Sequence, residues 1–367
     1  MTRGKGKKLR SGFTTGTAAA AAAKGALKLL LEGRAPDHVR IRLLTGDRIR
    51  IPIHSVVKTG PMTARCTVIK DAGDDPDVTH GAEIGARVRF FQDGSSQSVA
   101  ITGGEGVGRV TKPGLSTPPG EPAITEGPRQ MISEAVGDVL EELGLKGAVS
   151  AEIFVPEGEN MAQKTLNARL GILGGISILG TTGVVRPISH EAYLATIDAA
   201  LSVARAAGLD QVVLTTGRRG ERFSQKRWKH LPDEAFIQMG DFFKTTLEKV
   251  AAKGFRKAVI TVFIGKAVKM AQGIPHTHAA RAAQTLGKLA QWALEMTGDR
   301  ELSRGIAEAN TARHALELIL PAYPEVVRRV GEEMVASAGT FAGPDLRIRG
   351  VIYGFEGDLI FDSEKTP

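Results

Sequence analysis

Three copies of Thr-Thr-Gly punctuate the chain, at Thr14–Gly16, Thr181–Gly183 and Thr215–Gly217, and each puts two hydroxyls beside a glycine at the end of a predicted element. Helix starts leave main-chain N–H groups unpaired and glycine lets a ligand reach them, so such loops suit carboxylates or phosphates. Capping and turn formation use the same residue types. The second copy closes Gly174-Gly175-Ile176-Ser177-Ile178-Leu179-Gly180-Thr181-Thr182-Gly183, which matches neither G-x-G-x-x-G nor a P-loop, and no Walker lysine follows. The second and third copies each follow a predicted strand, and ligands of open α/β sheets bind beyond the carboxyl ends of strands. A further cluster, Gly103–Gly108, has no clear helix after it and is a weak dinucleotide signature.

The run from Asp71 to His80 gathers Asp71, Asp74, Asp75, Asp77 and an imidazole within ten residues, so something must relieve their repulsion. A metal would do so, although the spacing is not that of an EF-hand; so would a solvated turn with Asx hydrogen bonds. A third role is proton transfer, for which Asp71, Asp74, Asp75 and His80 are the catalytic candidates. His276-Thr277-His278 offers two imidazoles without the companions of a tetrahedral site, and Thr277 is expected to cap a helix. In the basic stretch Arg218, Arg219, Arg222, Lys226, Arg227 and Lys229, Arg222, Lys226 and Lys229 share one helical face, where they clamp acidic groups, contact nucleic acid or simply face water.

The elements that must position these groups fall into two patterns. An alanine-rich helix begins near Thr17. Then Val39, Ile41 and Leu43 alternate with Arg40 and Arg42, and after a Gly46-Asp47 turn Ile49, Ile51 and Ile53 alternate with Arg48 and Arg50, which predicts a hairpin. Strands at 64–70, 86–91 and 98–102 and a helix over 128–143 ended by Gly144 complete a mainly antiparallel α+β domain, 1–147. From 148 to 367 strands alternate with helices, which predicts a layered α/β domain. Its expected buried strands are 153–155, 176–179, 211–214 and 258–264. Helices are expected over 158–166 and 189–207, and Phe236, Met239, Phe243, Leu247 and Val250 repeat a helical pattern. Segments 346–353 and 359–361 form a terminal hairpin that either domain can receive.

A chain of 367 residues with 42% apolar content supports two cores. Forty-eight Lys and Arg against 40 Asp and Glu give a charge of +8, which favours anionic partners without separating nucleic acid from small polycarboxylates. Cys66 is the single cysteine, which excludes an intrachain disulfide framework and fits a reducing cytoplasm. The basic start is followed by Ser11–Gly16 in place of an apolar stretch, so no secretory signal is expected, and no run approaches the roughly 20 apolar residues of a membrane span. A nucleotide-phosphate enzyme of kinase or ligase type is disfavoured by the missing G-x-x-x-x-G-K-[ST]. An RNA-binding protein is disfavoured by 5% aromatic content and no aromatic-laced basic motif.

Taken in order, Leu9–Thr17 with its alanines, Lys70–Gly81, Gly104–Gly114, Pro119–Arg129, Leu166-Asn167-Ala168-Arg169-Leu170-Gly171 running on to Pro187, and Gly273–His278 resemble the cobalt-precorrin-5B C1-methyltransferase family, CbiD. The family often has a cysteine after the first Thr-Thr-Gly-Thr; here Ala18 stands there, which argues against a catalytic thiol. The resemblance implies methyl transfer from S-adenosylmethionine to C1 of cobalt-precorrin-5B, giving cobalt-precorrin-6A in anaerobic cobalamin biosynthesis. It also implies a Rossmann-like second domain. The cobalt belongs to the substrate and the protein holds no metal. On that basis the donor is expected at Gly174, Gly175, Thr181, Thr182, Gly183, Thr215, Thr216 and Gly217. The carboxylates of the corrin precursor are expected at Thr14, Thr15, Thr17, Arg109, Lys112, Arg218 and Arg219. A cytoplasmic enzyme without nucleic-acid or membrane partners follows, and homo-oligomerisation is compatible with it.

Overall fold

A computed structural model describes residues 9–92, 98–278 and 282–364, with the side chains of 282–284 left aside. It divides into two compact units, 1–190 and 191–367, each mixed α/β.

The first unit opens with the short strand β1 (Gly12–Phe13) and the helix α1 (Thr15–Glu32). Thr14 caps α1 by accepting a hydrogen bond from the Thr17 N–H at 3.2 Å, and the left-handed Gly33 ends it. Alanines 18 to 23 are wholly buried, because small side chains let α1 lie close against both a sheet and a second helix. A separate ribbon follows, β2 (His38–Arg42) with β3 (Arg48–Pro52). The sheet itself uses β4 (Ser55–Gly60), β5 (Thr63–Ile69), β6 (Glu83–Phe91) and β7 (Ser98–Gly103). After β8 (Arg109–Val110) come α2 (Glu126–Glu142), which packs along α1, and β9 (Ala148–Phe154). The helix α3 (Gly158–Ala162) and the short strands β10 (Ile172–Leu173) and β11 (Val184–Val185) finish the unit.

The sheet order is β4-β5-β6-β9-β7, antiparallel except where β7 and β9 run parallel. Period-two alternation divides its faces. Ala64, Cys66, Val68, Ile84, Ala86, Val88, Ala151 and Ile153 are fully buried on the face that carries the helices, while Arg65, Arg87 and Glu152 stand on the other.

The second unit contains α4 (His190–Ala206, its first residue belonging to the first unit), β12 (Gln211–Thr215), α5 (Arg218–Arg227), β13 (Phe236–Gln238) and α6 (Phe243–Ala252). Then come β14 (Lys257–Phe263), α7 (Ile264–Ala271), α8 (Ala282–Thr297), α9 (Arg300–Glu308), α10 (Ala312–Ile319) and α11 (Pro324–Ala342). β15 (Arg347–Tyr353) and β16 (Leu359–Asp362) close it. Its sheet runs β13-β12-β14-β15-β16, the first four strands parallel and β16 antiparallel. One face is sealed by apolar residues of α4, α6, α7 and α11, the other by Phe223 and Trp228 of the α5 region over Val213, Val259 and Val351.

Several expectations need correction. The division falls after His190 and not at 147, because β9 inserts between β6 and β7 and so belongs to the first sheet. The buried apolar residues Ile176 and Ile178 likewise lie in the first unit's core, as isolated bridges to Val107 and Ile124. The helix expected over 158–166 stops at Ala162. The helical spacing at 236–250 spans two elements: Phe236 sits in β13, and only Phe243 to Ala252 is helical. The terminal hairpin joins the second unit's sheet through β15 and β16.

Candidate functional site

In the first unit the N-terminal segment threads between two loops. The Phe13 N–H donates to Asp71 O at 2.8 Å, Gly12 and Phe13 pair with Val185 and Val184, and the Thr14 N–H donates to Gly183 O at 3.0 Å. The first and second Thr-Thr-Gly copies are therefore zipped together. The Thr17 hydroxyl donates to Gly183 O at 2.7 Å, and Thr15 Oγ1 accepts from the Leu179 N–H at 2.9 Å. Thr14, Thr15 and Thr17 are buried: Thr14 caps α1, and the Thr15 and Thr17 hydroxyls tie the helix start to the main chain of the 177–183 loop. Thr181 is exposed, Gly183 is buried, and Thr182 closes a local turn on Val184.

The acidic loop owes its neutralisation to the protein's own groups, and no metal-holding cluster of His, Cys, Asp and Glu occurs among the described residues. Asp71 takes the Arg10 guanidinium on both oxygens, and its Oδ1 accepts from the Gly73 N–H at 2.8 Å. Asp74 accepts from the Arg10 N–H at 2.6 Å, and Asp75 accepts from the Ile188 N–H at 2.9 Å. Asp77 meets the Lys70 ammonium at 2.7 Å, and Lys70 is 1% exposed. His80 Nδ1 accepts from the Ala72 N–H at 3.1 Å, which leaves the ring at the surface. Ile188, the residue bonded to Asp75, is β-branched and largely exposed, and it stands at φ 58°.

Lys70 escaped notice in the sequence because it ends a strand pattern and looks like an ordinary surface lysine. Asp77→Asn removes the charge that keeps its buried ammonium paired and should cost about 2–3 kcal/mol, part of the usual cost being screened at the exposed side of Asp77. Thermal melting should register this as a fall of several degrees, and an unchanged midpoint would show that Lys70 finds water instead.

Hydrogen bonding by Arg10 outweighs desolvation and pushes the Asp71 carboxyl down to about 2. A depressed carboxylate contributes stability above its unfolded value near 4 and loses it as pH falls toward the folded value. The 10–14 to 71–75 contact should therefore survive at pH 4 and release only near pH 2. Carboxyl NMR titration should show this, with the Asp71 midpoint returning to about 4 in Arg10→Ala; a midpoint already near 4 in the unaltered protein rules the contact out.

Gly174 and Gly175 sit elsewhere in the unit, in a crossing of main chains where the Ile176 N–H donates to Gly106 O at 3.0 Å and the Gly108 N–H donates to Ile176 O at 2.8 Å. Arg109 bonds Gly120 O, and Lys112 lies against Gly171. A pocket of about 310 Å³ on the open face of the first sheet is lined by Arg65, Arg87, Gly104, Glu105, Glu152 and Phe154.

In the second unit the third Thr-Thr-Gly stands at the carboxyl end of β12, with Gly217 at the N-cap of α5. Thr215 is fully buried, and its Oγ1 has no hydrogen-bond partner among the described residues. The neighbouring strand end supplies Gln238, whose Nε2 donates to the buried Glu221 at 2.7 Å. Next to it Asp241 pairs with Lys266 at 3.1 Å and accepts from the Thr277 hydroxyl at 3.1 Å. Burial alone would raise the Asp241 pKa, but the ammonium and hydroxyl hold it below the usual carboxylate range. Thr277 thus ties its loop to the strand end, while the start of the helix it is expected to cap lies outside the described residues, and the His276 ring packs edge-on against Phe242. Arg218 is exposed, whereas Arg219 bonds Phe355 O and lies near the rings of Phe223, Phe263 and Phe355.

Within the first unit, then, the structure brings together Thr14, Thr15, Thr17, Thr181, Thr182, Gly183, Asp71, Asp74, Asp75 and His80. It places Gly174, Gly175, Arg109 and Lys112 outside that cluster, and Thr215, Thr216, Gly217, Arg218 and Arg219 in the second unit. Arg10, Lys70, Glu221 and Gln238 were not anticipated.

Known proteins align with this chain over most of its length. The family model CbiD matches residues 2–187, and the model CbiD, C-terminal domain, matches 276–364. A cobalt-precorrin-5B C(1)-methyltransferase of a Geobacillus species is 46% identical over 355 residues, 96% of each chain. Its counterpart from Geobacillus kaustophilus is 48% identical over 306 residues, 83% of this chain and 81% of its own. That from Nitratidesulfovibrio vulgaris is 43% identical over 357 residues, 95% of this chain and 91% of its own. A crystal structure of cobalamin biosynthesis protein (cbiD) from Archaeoglobus fulgidus is 29% identical and covers 69% of this chain and 76% of its own, with a TM-score of 0.40.

Proposed function

The chain belongs to the CbiD family, and from that premise we propose that it methylates C1 of cobalt-precorrin-5B, with S-adenosylmethionine as donor, to give cobalt-precorrin-6A in anaerobic cobalamin biosynthesis. The observation that carries this is the 46% identity, over 96% of both chains, to a curated cobalt-precorrin-5B C(1)-methyltransferase. Among the described residues no helix is long and apolar enough to cross a membrane, which accords with a cytoplasmic enzyme.

The reaction forms a carbon–carbon bond at C1 as the methyl leaves sulfur, whose bonding pair stays behind on a neutral thioether. A sulfonium needs no further activation, so the chain's work is to hold two reactants within about 3–3.5 Å and in line, an effect worth roughly 7–11 kcal/mol. No nucleophilic side chain is required. The acidic loop agrees with that demand: Asp71, Asp74 and Asp75 fix Arg10 and Ile188 in place, as positioning residues, and His80 remains at the surface.

For the donor we favour a Rossmann-like use of the second unit. Its strand order reverses between β12 and β14, and the Thr215–Gly217 loop lies beyond the carboxyl end of β12 at the start of α5, where such sheets bind ligands. Exposed Arg218 then suits an acidic group of donor or substrate. Anoxic incubation with cobalt-precorrin-5B and methyl-labelled S-adenosylmethionine should add one labelled methyl at C1, read by mass and carbon NMR. An unchanged macrocycle mass would refute the proposal.

A further inference from the structure

One charged surface of the first unit is used neither by the Thr-Thr-Gly loops nor by the acidic loop. In the β2-β3 ribbon Arg40 stands directly opposite Arg50, and Arg42 opposite Arg48. Val39, Ile41 and Ile51 turn the other way and are buried against the core of the unit. Period-two alternation explains why the four positions point outward; it does not explain why all four carry the same charge. Like charges directly opposite one another weaken an antiparallel pair, and this ribbon has two such pairs in succession.

Among the described residues Arg40, Arg42 and Arg48 make neither an ion pair nor a side-chain hydrogen bond, and Arg50 meets only a ring nitrogen, His38 Nδ1, at 2.9 Å. The one acid of the turn, Asp47, is engaged by the Thr45 hydroxyl at 3.0 Å. Opposed residues lie about 5 Å apart at Cβ and residues two apart along a strand about 7 Å, so the ribbon presents a small grid of four guanidiniums. Each can take a carboxylate through two parallel N–H donors. That grid fits several carboxylates borne by one rigid frame. The inner end of the ribbon belongs to the same neighbourhood as the zipped loops, since Leu43 packs against Gly183.

We propose that the four-arginine ribbon docks the acidic rim of the macrocyclic substrate; the inference rests on the methyltransferase reading above and names a contact that reading leaves open. A nucleic acid is the less suitable polyanion, because the exposed face of the ribbon has no Phe, Tyr or Trp on which bases stack.

The test uses the full chain with two paired variants, Arg40→Gln/Arg50→Gln and Arg42→Gln/Arg48→Gln, and with Arg347→Gln as a control on an exposed arginine of the second unit. Each pair should raise KM for cobalt-precorrin-5B about tenfold with kcat little changed. Melting midpoints should stay level or rise as repulsion is relieved, which separates docking from a structural role. Uroporphyrin, a stable macrocycle with eight carboxylates, gives a readout independent of methyl transfer: fluorescence titration should show about tenfold weaker binding in each pair and a shallower salt dependence, with the control unaffected. Equal uroporphyrin affinity in the parent and both pairs overturns the ribbon even where methylation is normal. Absent methylation together with ribbon-dependent uroporphyrin binding refutes the enzymatic reading and leaves the carboxylate surface standing. Binding of a random DNA duplex more tightly than uroporphyrin at 150 mM salt, lost in both pairs, assigns the surface to nucleic acid and overturns the inference.

Discussion

Gly106→Ala is expected to lower the melting midpoint of the first unit by roughly 10 °C. Gly106 has φ 67°, and a Cβ there would lie 1.8 Å from Val155 O, with no side-chain end that can swing aside. Three main-chain segments cross at this point. The Val155 N–H donates to Glu105 O at 2.8 Å, while Gly158 and Gly175 approach Gly106 O so closely that a Cβ on either would come within 2.0 and 2.1 Å of it. Left-handed strain costs about 1 kcal/mol and the forced separation about 2–3 more, which at 2–4 °C per kcal/mol gives the stated shift. Gly174→Ala supplies the comparison. It has φ 78° but open space around the added carbon, so it should lose only the strain and melt a few degrees lower. Equal midpoints for the two variants, measured by calorimetry, would mean that the crossing is looser than described.

That crossing also shows what a sequence conceals. Gly103–Gly108 and Gly174-Gly175 are each legible as glycine clusters, and a glycine cluster beside a strand invites a ligand. The crossing of 106 with 155, 158 and 175 is a long-range contact, so local spacing carries no trace of it, and one of the expected donor glycines, Gly175, lies where backbone packs on backbone. The domain division was obscured for a related reason. β9 has the β-branched, apolar look of a parallel-sheet strand because it is an interior strand of the first sheet, and burial writes the same residues into either sheet. Elements with a local cause were readable: the Thr14 cap and buried alanines of α1, the alternation of β2 and β3, and Gly144 after α2 all follow from neighbouring residues. Within the candidate site, the ten residues from Asp71 to His80 announced a charge problem, but its solution by Arg10 and Lys70 lay partly 61 residues away.

The same distinction between glycine that packs and glycine that leaves room decides which donor loop to test. Gly183 has φ 89°, and a Cβ there would come within 2.7 Å of Leu43 Cδ2. Gly183→Val should therefore disturb the fold together with any binding, and its loss of activity would teach little. Gly217 is the opposite case. Its backbone is extended, at φ 165°, and no atom lies within 4 Å of an added Cβ, so a side chain can start there without meeting the protein. A loss of affinity larger than the small N-cap cost must come from what the loop binds. If the donor lies along the Thr215–Gly217 main chain, the isopropyl group takes its place, and calorimetric affinity for S-adenosylmethionine should fall at least about tenfold, some 1.4 kcal/mol. The melting midpoint should fall by only a few degrees, the cost of replacing glycine by valine at the N-cap of α5. Thr216→Val, which removes one hydroxyl without adding bulk, should give a smaller loss in the same direction. Unaltered affinity in Gly217→Val would exclude this loop as the donor cradle and turn attention to the exposed Thr181 turn of the first unit, since a ligand pressed against glycine backbone cannot coexist with a branched side chain at the same atom.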